Sequence, residues 1–254
     1  MLPEDLAVHL RAARSGRQAP FDVRWLPSTT STMDVASSLA HEGAPDGVVI
    51  VADEQTAGRG RRGTSWVSPA GAGLYFSFLS RPPAAADLVT LAAGVAVRDG
   101  IAAATGLAAD LKWPNDLIVG RRKLAGILAE GVALGSPGQA VIVGVGVNMQ
   151  PAAYPPDVAA RATSLEGELG KPVDRGLVLA AILLALGDRL ALLGVKPGDI
   201  LQAWRAASPN AIGTRVEWDG KHGTTAGIDD RGALLVKTGA GVERIIAGEL
   251  RWML

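Results

Sequence analysis

The chain has 254 residues, of which 48% are hydrophobic, and it carries 25 basic and 25 acidic side chains. This length suits a globular protein with one large domain or a large and a small one, and the zero net charge excludes a molecule-wide field that would gather nucleic acid. The sequence contains no cysteine, which excludes disulfide frameworks and thiolate metal sites.

The first 22 residues are predicted to form a leader with one helix, from Pro3 to about Arg17. The leader lacks a basic region followed by an apolar core, so it does not read as a secretory signal. The longest apolar helical run, which starts at Leu177, is shorter than the roughly 20 residues that cross a bilayer. We therefore expect a cytoplasmic protein without a membrane segment.

Residues 23–210 are predicted to form one domain of mixed α and β structure. Runs rich in Val and Ile predict strands at residues 48–51, 74–79 and 140–147. Helices are predicted over residues 33–41, 88–105, from Asp174 as N-cap to about Leu193, and over 199–207. Gly106 is placed to cap the second of these. Because strands and helices do not alternate strictly, the prediction is an α+β fold with a mixed sheet and flanking helices.

Residues 211–254 have a different sequence pattern. Four short β-rich segments, "TRVEW", "GTTAGID", "ALLVKT" and "ERIIAG", are separated by turn sequences. This spacing predicts a small antiparallel barrel at the C-terminus.

Residues 58–63 read "GRGRRG" and match the dinucleotide fingerprint G-x-G-x-x-G. That fingerprint requires a helix to start within the glycines, whereas "TSWVSP" follows here and disfavours one. No Gly-Lys-Ser/Thr closes the motif either, so it is not a P-loop. The stretch instead predicts a flexible loop whose three arginines can bind carboxylate and phosphate. A solvated basic loop is the alternative.

A second basic constellation lies in "LKWPNDLIVGRRKLAGILAE". Lys112, Asn115 and Asp116 surround Pro114, and Lys123 opens the next apolar run. Lysines are scarce, six against nineteen arginines, which favours a specific role for these two. A strand-edge charge remains the alternative for Lys112, and Arg121 and Arg122 are predicted to form a hairpin tip.

Four motifs together resemble the biotin protein ligases. These are "GRGRRG" followed by Trp66 and Pro69, "KWPNDL", "KLAGIL" and "GVGVNM", which occur in the family's order and approximate spacing across residues 28–150. The resemblance implies a class II synthetase-like catalytic domain of the biotin/lipoate ligase type and a C-terminal SH3-like barrel. It also implies a monofunctional enzyme without an N-terminal DNA-binding domain, which uses ATP and Mg²⁺ to activate biotin as biotinyl-5′-adenylate. The biotinyl group then passes to one lysine of a carboxylase's carrier domain.

The resemblance also assigns residues. It implies catalytic roles for Lys123 and Arg61. It implies biotin binding by Ser31, Thr32, Met33, Gln55, Arg59, Gly60, Arg61, Lys123 and Gly126. It implies ATP or adenylate binding by Arg61, Arg62, Trp66, Lys112, Asn115, Asp116, Lys123 and Asn148, with Asp116 also as a magnesium ligand. Met33 stands where the family has Asn, which puts a polar contact there in doubt.

Two rival functions stay open at this point. A lipoate protein ligase would share the architecture and the adenylating chemistry. A nucleic-acid-binding, biotin-responsive regulator would use the basic loop, but the neutral charge and the lack of a helix-turn-helix argue against nucleic acid as a partner. The expected partner is the carrier domain, with no membrane partner, and a homodimer is left open.

Overall fold

The structure of the protein is a computed structural model that describes residues 2–16, 21–81, 86–133, 139–151, 158, 160–246, 248 and 250–253. Its central sheet contains seven strands: β1 (Asp22–Thr29), β2 (Val48–Gln55), β3 (Gly73–Ser80), β4 (Asp110–Lys112), β5 (Asp116–Val119), β6 (Arg122–Ala133) and β7 (Gln139–Asn148). The order across the sheet is β1-β2-β3-β7-β6-β5-β4. The pair β1 and β2 is parallel, and the other neighbours are antiparallel. The predicted mixed sheet is therefore confirmed.

The helices of the described residues flank this sheet. They are α1 (Glu4–Gly16), α2 (Thr32–His41), α3 (Val89–Thr105), α4 (Leu165–Leu169), α5 (Arg175–Leu192) and α6 (Pro197–Ala206). Helices α3 and α5 cross at Gly100, where a Cβ atom would lie 2.5 Å from the Cα of Ile182. None of these helices is long and apolar enough to cross a membrane.

Local signals placed several helix ends correctly. Gly106 ends α3 in the left-handed conformation at φ 76°, and the Asp174 side chain caps α5 by accepting from the amides of Gly176 and Leu177. Helix α6 begins at Pro197, two residues before its predicted start. The short helix α4 was not predicted, and the predicted break after α1 falls partly on residues 17–20, outside the described residues.

A second sheet follows the helices. Its strands are β8 (Ile212–Trp218), β9 (Lys221–Ile228), β10 (Leu234–Thr238), β11 (Gly241–Ile245) and β12 (Arg251–Trp252). They form an antiparallel sheet in the order β11-β10-β9-β8-β12, which confirms the predicted C-terminal β structure and adds one strand, β12.

The two sheets share one hydrophobic core. Buried residues of the second sheet, among them Val216 and Leu234, belong to the same cluster as the central strands. Trp113 strengthens the junction because its buried indole donates a hydrogen bond to the carbonyl of Gly232 at 3.0 Å. The tryptophan of "KWPND" is thus a structural link between the two sheets.

Candidate functional site

Two cavities meet on one face of the central sheet. The first has a volume of about 250 Å³ and the second of about 540 Å³. Residues that line both are Arg61, Thr64, Ser65, Trp66, Asn115, Asp116, Lys123 and Gly248. Two motifs therefore come together at this boundary. They are the "GRGRRG" stretch of residues 58–63, called the glycine loop from here on, and the stretch around Lys123.

Positive charge is concentrated at the two cavities. Their described lining residues include seven basic side chains, Arg59, Arg61, Arg62, Lys112, Arg121, Lys123 and Arg161. The same lining sets include one carboxylate, that of Asp116. Because the chain as a whole is neutral, this imbalance is local. It makes the boundary of the two cavities, called the junction from here on, attractive to anions.

The floor of the site is built from glycines that alternate along β7. Gly144, Gly146 and Asn148 are two residues apart and so lie on one face of the strand. A Cβ atom at Gly146 would lie 2.5 Å from the Trp66 ring, and one at Gly144 would lie 2.7 Å from Sδ of Met33. Sequence reasoning missed Gly144 and Gly146, although the period-two glycines of "GVGVNM" could have indicated a floor without side chains.

Lys123 is aimed into the site by a β-bulge. The pairing of β5 with β6 shifts between Leu117 and Ile118, which pair with Ala125 and Lys123. In a regular strand Lys123 and Gly126 would face opposite sides, because they are an odd number of residues apart. The bulge puts them on the same side, where a Cβ at Gly126 would lie 3.2 Å from Nζ of Lys123.

Lys123 and Arg61 both contact polar or aromatic groups at the boundary of the two cavities. Nζ of Lys123 lies 2.6 Å from a carboxylate oxygen of Asp116 and 5.1 Å from the centre of the Trp66 ring. Arg61 donates to the side-chain oxygen of Asn115 at 3.5 Å. Burial lowers the pKa of the Arg61 guanidinium, and the nearby Asp116 carboxylate opposes that shift. The indole N–H of Trp66 is buried and has no hydrogen-bond acceptor among the described protein groups.

The far end of the first cavity is polar on one side. Oε1 of Gln55 accepts from the backbone N–H of Thr32 at 2.9 Å and from its hydroxyl at 3.1 Å, while Nε2 donates to Ser68 at 2.9 Å. The Ser31 hydroxyl accepts from the N–H of Met33 at 3.3 Å and caps α2. These contacts leave the Gln55 amide with one N–H beyond those it gives to protein groups. The thioether of Met33 lines the same cavity and supplies an apolar surface there.

The glycine loop arches over the first cavity without starting an α-helix. Residues 58–72 are all described and contain one 3-10 turn, Arg61–Gly63. The loop is closed by hydrogen bonds from Gly60 N to Thr64 O at 2.7 Å and from Trp66 N to Gly58 O at 2.8 Å. This geometry confirms that the motif is not a dinucleotide fingerprint.

Arg59 holds the loop to two other elements. Its guanidinium lies 3.0 Å from the Asp34 carboxylate on α2 and 3.2 Å from the Glu130 carboxylate on β6. Arg62, which the resemblance assigned to nucleotide, lines the first cavity and not the second. It adopts a left-handed conformation at φ 55°.

Trp252 of β12 and Leu250, the residue before that strand, form one wall of the second cavity. Nζ of Lys112 lies 5.8 Å from the centre of the Trp252 ring. Lys112 is on the edge strand β4 and also lines the second cavity, so the two alternatives predicted for it do not exclude each other. Burial lowers the pKa of Lys112; the charge of Asp116 opposes this shift, and that of Lys123 adds to it.

The predicted hairpin tip lies between β5 and β6. Arg121 lines the second cavity, which the sequence did not indicate, whereas Arg122 donates to Glu168 at 2.8 Å. Asn148 lines the second cavity from the end of β7. No group of three His, Cys, Asp or Glu side chains among the described residues is arranged to hold a metal ion, so Asp116 is a single carboxylate at the junction.

The chain matches known protein families along most of its length. Residues 25–148 match the Biotin/lipoate A/B protein ligase family, and residues 218–250 match the Biotin protein ligase C terminal domain. The chain is 38% identical over 245 residues to the acetyl-CoA-carboxylase biotin ligase of Paracoccus denitrificans, covering 89% of this chain and 98% of that protein. It is 37% identical over 233 residues to the bifunctional ligase/repressor BirA of Bacillus subtilis, covering 87% and 71%. The biotin protein ligase of Aquifex aeolicus, solved with biotin and ATP, superposes with a TM-score of 0.78 at 29% identity, covering 91% and 98%.

Proposed function

The chain belongs to the biotin protein ligase family, and from that premise we propose that it activates biotin with ATP and transfers it to a protein lysine. The observation that carries this proposal is the meeting of two cavities at one cluster of cations, Arg61, Lys112 and Lys123, around Asp116. A reaction between two anions needs such a cluster, because their mutual repulsion must be offset where they meet.

Biotin occupies the first cavity in this proposal. Its ring end faces Ser31, Thr32 and Gln55, and Met33 contacts its apolar edge. Its carboxylate reaches Lys123, which lines both cavities. ATP occupies the second cavity, where Lys112, Asn148 and the wall formed by Trp252 surround it.

The first chemical step joins the two ligands at the shared boundary. A carboxylate oxygen of biotin bonds to the α-phosphorus of ATP, the bond from that phosphorus to the β-phosphate bridge breaks, and pyrophosphate leaves with the bonding electrons. Lys123 and Arg61 stabilise the charge on the oxygens around this phosphorus. The unpaired indole N–H of Trp66 is available to a ligand oxygen, and its ring limits the access of water to the adenylate.

The site offers one carboxylate that could bind a magnesium ion. Mg²⁺ is commonly held by one or two carboxylates together with substrate phosphates, and Asp116 is a single carboxylate beside the second cavity. Asp116 would hold the ion, which supplies neutralisation of phosphate charge. In the protein itself Asp116 also keeps Lys123 oriented through their 2.6 Å contact.

The second step transfers the biotinyl group. The neutral amine of an acceptor lysine attacks the acyl carbon of the adenylate, the bond between that carbon and the phosphate oxygen breaks as AMP leaves, and the new amide nitrogen loses a proton to water. We infer that the acceptor is the carrier domain of a biotin-dependent carboxylase, as the name of the Paracoccus denitrificans relative says of that protein. We also infer a cytoplasmic location, since a sequence without cysteine suits a reducing compartment.

Pyrophosphate release tests the proposal directly. The purified protein should release pyrophosphate when given ATP, Mg²⁺ and biotin, and should release little when lipoate replaces biotin. Release with lipoate but not with biotin would assign the protein to lipoate ligation. Binding of random duplex DNA in a gel-shift assay, without biotin-dependent pyrophosphate release, would favour the regulator instead.

A further inference from the structure

The backbone of Lys123 is hydrogen-bonded, on the side away from β5, to residues 161–163. The sequence did not assign this segment to the site. The N–H of Lys123 donates to the carbonyl of Arg161 at 2.7 Å, and its carbonyl accepts from the N–H of Thr163 at 2.9 Å. The two stretches run parallel, with Lys123 opposite Ala162. This segment therefore extends the sheet locally at the residue proposed to carry the chemistry.

The side chain of Asn148 ties these two stretches together. Its amide nitrogen donates to the carbonyl of Lys123 at 3.3 Å and to the carbonyl of Thr163 at 2.9 Å. The residue is buried, with 7% of its surface exposed. Without the amide, the Thr163 carbonyl would lose this donor, and the Lys123 carbonyl would keep only its bond from the N–H of Thr163. An amide nitrogen has two N–H groups, and both are used here on the protein's own main chain.

The segment is fixed at its other end as well. The Thr163 hydroxyl donates to the carboxylate of Glu168, which also accepts from Arg122 at 2.8 Å. The N–H of Glu166 donates to the carbonyl of Met149, the residue after Asn148. Helix α4 thus connects back to the end of β7, and Asn148 lies at the centre of a connected set of hydrogen bonds.

We propose that Asn148 is a positioning residue for Lys123: its amide fixes the main chain from which the lysine reaches the carboxylate of biotin. This role rests on the proposed function, and it is distinct from any contact that Asn148 makes with the nucleotide. It matters because the lysine side chain is long and flexible, so its amine is placed only as well as its Cα atom is. Small displacements of a reacting group can lower a rate about 10²-fold.

Biotin affinity measured without nucleotide separates the two roles. If Asn148 positions Lys123, Asn148→Ala and Asn148→Asp should both weaken biotin about tenfold in calorimetry with no ATP present, the effect of one or two lost hydrogen bonds. The aspartate keeps the size of the side chain but has no N–H to donate. If Asn148 serves the nucleotide alone, both variants should bind biotin as the unmodified protein does, and that result overturns the proposal.

Trp252→Ala is the matched control. Trp252 lines the second cavity and not the first, so its loss should weaken ATP and leave biotin affinity without nucleotide unchanged. Thermal unfolding of each variant identifies any that has lost its fold. Should Asn148→Ala lose its transition, Asn148→Ser, which keeps one O–H donor in a smaller side chain, carries the test.

Coupling to Lys123 distinguishes positioning from a general structural role. In a Lys123→Ala background, adding Asn148→Ala should cause little further loss of biotin affinity, because the amine it positions is gone. Equal losses in both backgrounds would contradict the proposal. If the unmodified protein itself fails to bind biotin, the proposed function fails instead, so the two failures are distinguishable.

Discussion

The two segments that meet at the junction are held in place in different ways. Lys123 lies on a sheet strand, paired with Ile118 on one side and bonded to Arg161 and Thr163 on the other. Arg61 lies in a surface loop that is closed by its own short-range hydrogen bonds and tied to the rest of the protein by the partly exposed ion pairs of Arg59. One anion-binding group is therefore part of the sheet, and we expect the other, on the loop, to move more freely.

This difference suits the two tasks. A group that orients the attacking carboxylate must have a fixed position, and a sheet provides it. A group that covers a reactive adenylate must also let substrates enter and products leave, and a glycine-rich loop permits that. We therefore expect substitutions on the sheet to act mainly on rate, and substitutions at the loop's attachments to act mainly on its opening.

Lys123→Ala is expected to have the largest effect. Removing a positioned donor of charge stabilisation costs about 10² to 10³ in rate, so biotin-dependent pyrophosphate release should fall by that factor. The variant should stay folded, since Lys123 is partly exposed and its main-chain bonds do not need the side chain. A variant with near-normal release would remove Lys123 from the mechanism.

Gly146→Ala tests whether the glycine floor positions Trp66. The added Cβ would lie 2.5 Å from the Trp66 ring, so the ring must move, and with it the boundary of the two cavities. We expect a loss of adenylation of up to about 10²-fold from such misplacement.

Gly131→Ala is the control for that substitution. Gly131 is on the adjacent strand β6, and a Cβ there meets no atom within 4 Å. It should adenylate biotin normally. Equal rates in both variants would show that the floor does not set the position of Trp66.

The sequence predicted the scaffold better than it predicted the site's construction. The strands around residues 48–51, 74–79 and 140–147 and the caps at Gly106 and Asp174 follow from local patterns, and the structure confirms them. The bulge at Lys123 and the pairing with residues 161–163 depend on register between distant segments, which single-sequence patterns do not encode. Short elements such as β12 and α4 carry too few residues to show a period.

Two residues that the resemblance assigned to ligands also bond to other parts of the protein, which single-sequence patterns do not show. The Gln55 side chain is largely used in bonds to Thr32 and Ser68, so it also fixes the start of α2 beside the cavity. Asn148 similarly donates to Lys123 and Thr163. A motif identifies such residues but does not show which of their polar atoms already have protein partners.

Gln55→Ala should have an intermediate effect, and it should fall on biotin rather than ATP. The substitution removes the Gln55 N–H that is free to bond biotin, at about 1 to 3 kcal/mol. It also leaves the buried N–H of Thr32 without its acceptor, whereas the Thr32 hydroxyl keeps its bond with Ser77 at 2.8 Å. Calorimetry should show weaker biotin binding with nearly unchanged ATP binding. Glu54→Ala is the control, since the adjacent residue on β2 bonds to Ser28 and lines neither cavity. Unchanged biotin affinity in Gln55→Ala would contradict the assignment of the polar end of the first cavity.

The smallest expected effect concerns the attachment of the loop through Arg59. Its carboxylate partners are both substantially exposed, at 53% for Asp34 and 41% for Glu130, so each ion pair contributes only about 0.2 to 1 kcal/mol. Substituting the carboxylates rather than the arginine keeps every trypsin site in the loop. The double variant Asp34→Asn, Glu130→Gln should therefore be cut about two- to thirtyfold faster after Arg59, Arg61 or Arg62, provided that cleavage follows the population of the open loop.

Ligand and salt sharpen this last measurement. Biotin with a non-hydrolysable ATP analogue should slow cleavage in both proteins, because carboxylate and phosphate give the loop arginines charged partners that do not depend on Asp34 or Glu130. High salt should shrink the difference between the two proteins, since exposed pairs are screened. Glu243→Gln, which breaks the 2.8 Å pair with Lys221 on the second sheet, should leave cleavage at the loop unchanged. If the unmodified loop resists trypsin without ligand, or is cut equally fast with saturating ligand, the loop is as rigid as the strand that carries Lys123, and the contrast between the two segments is wrong.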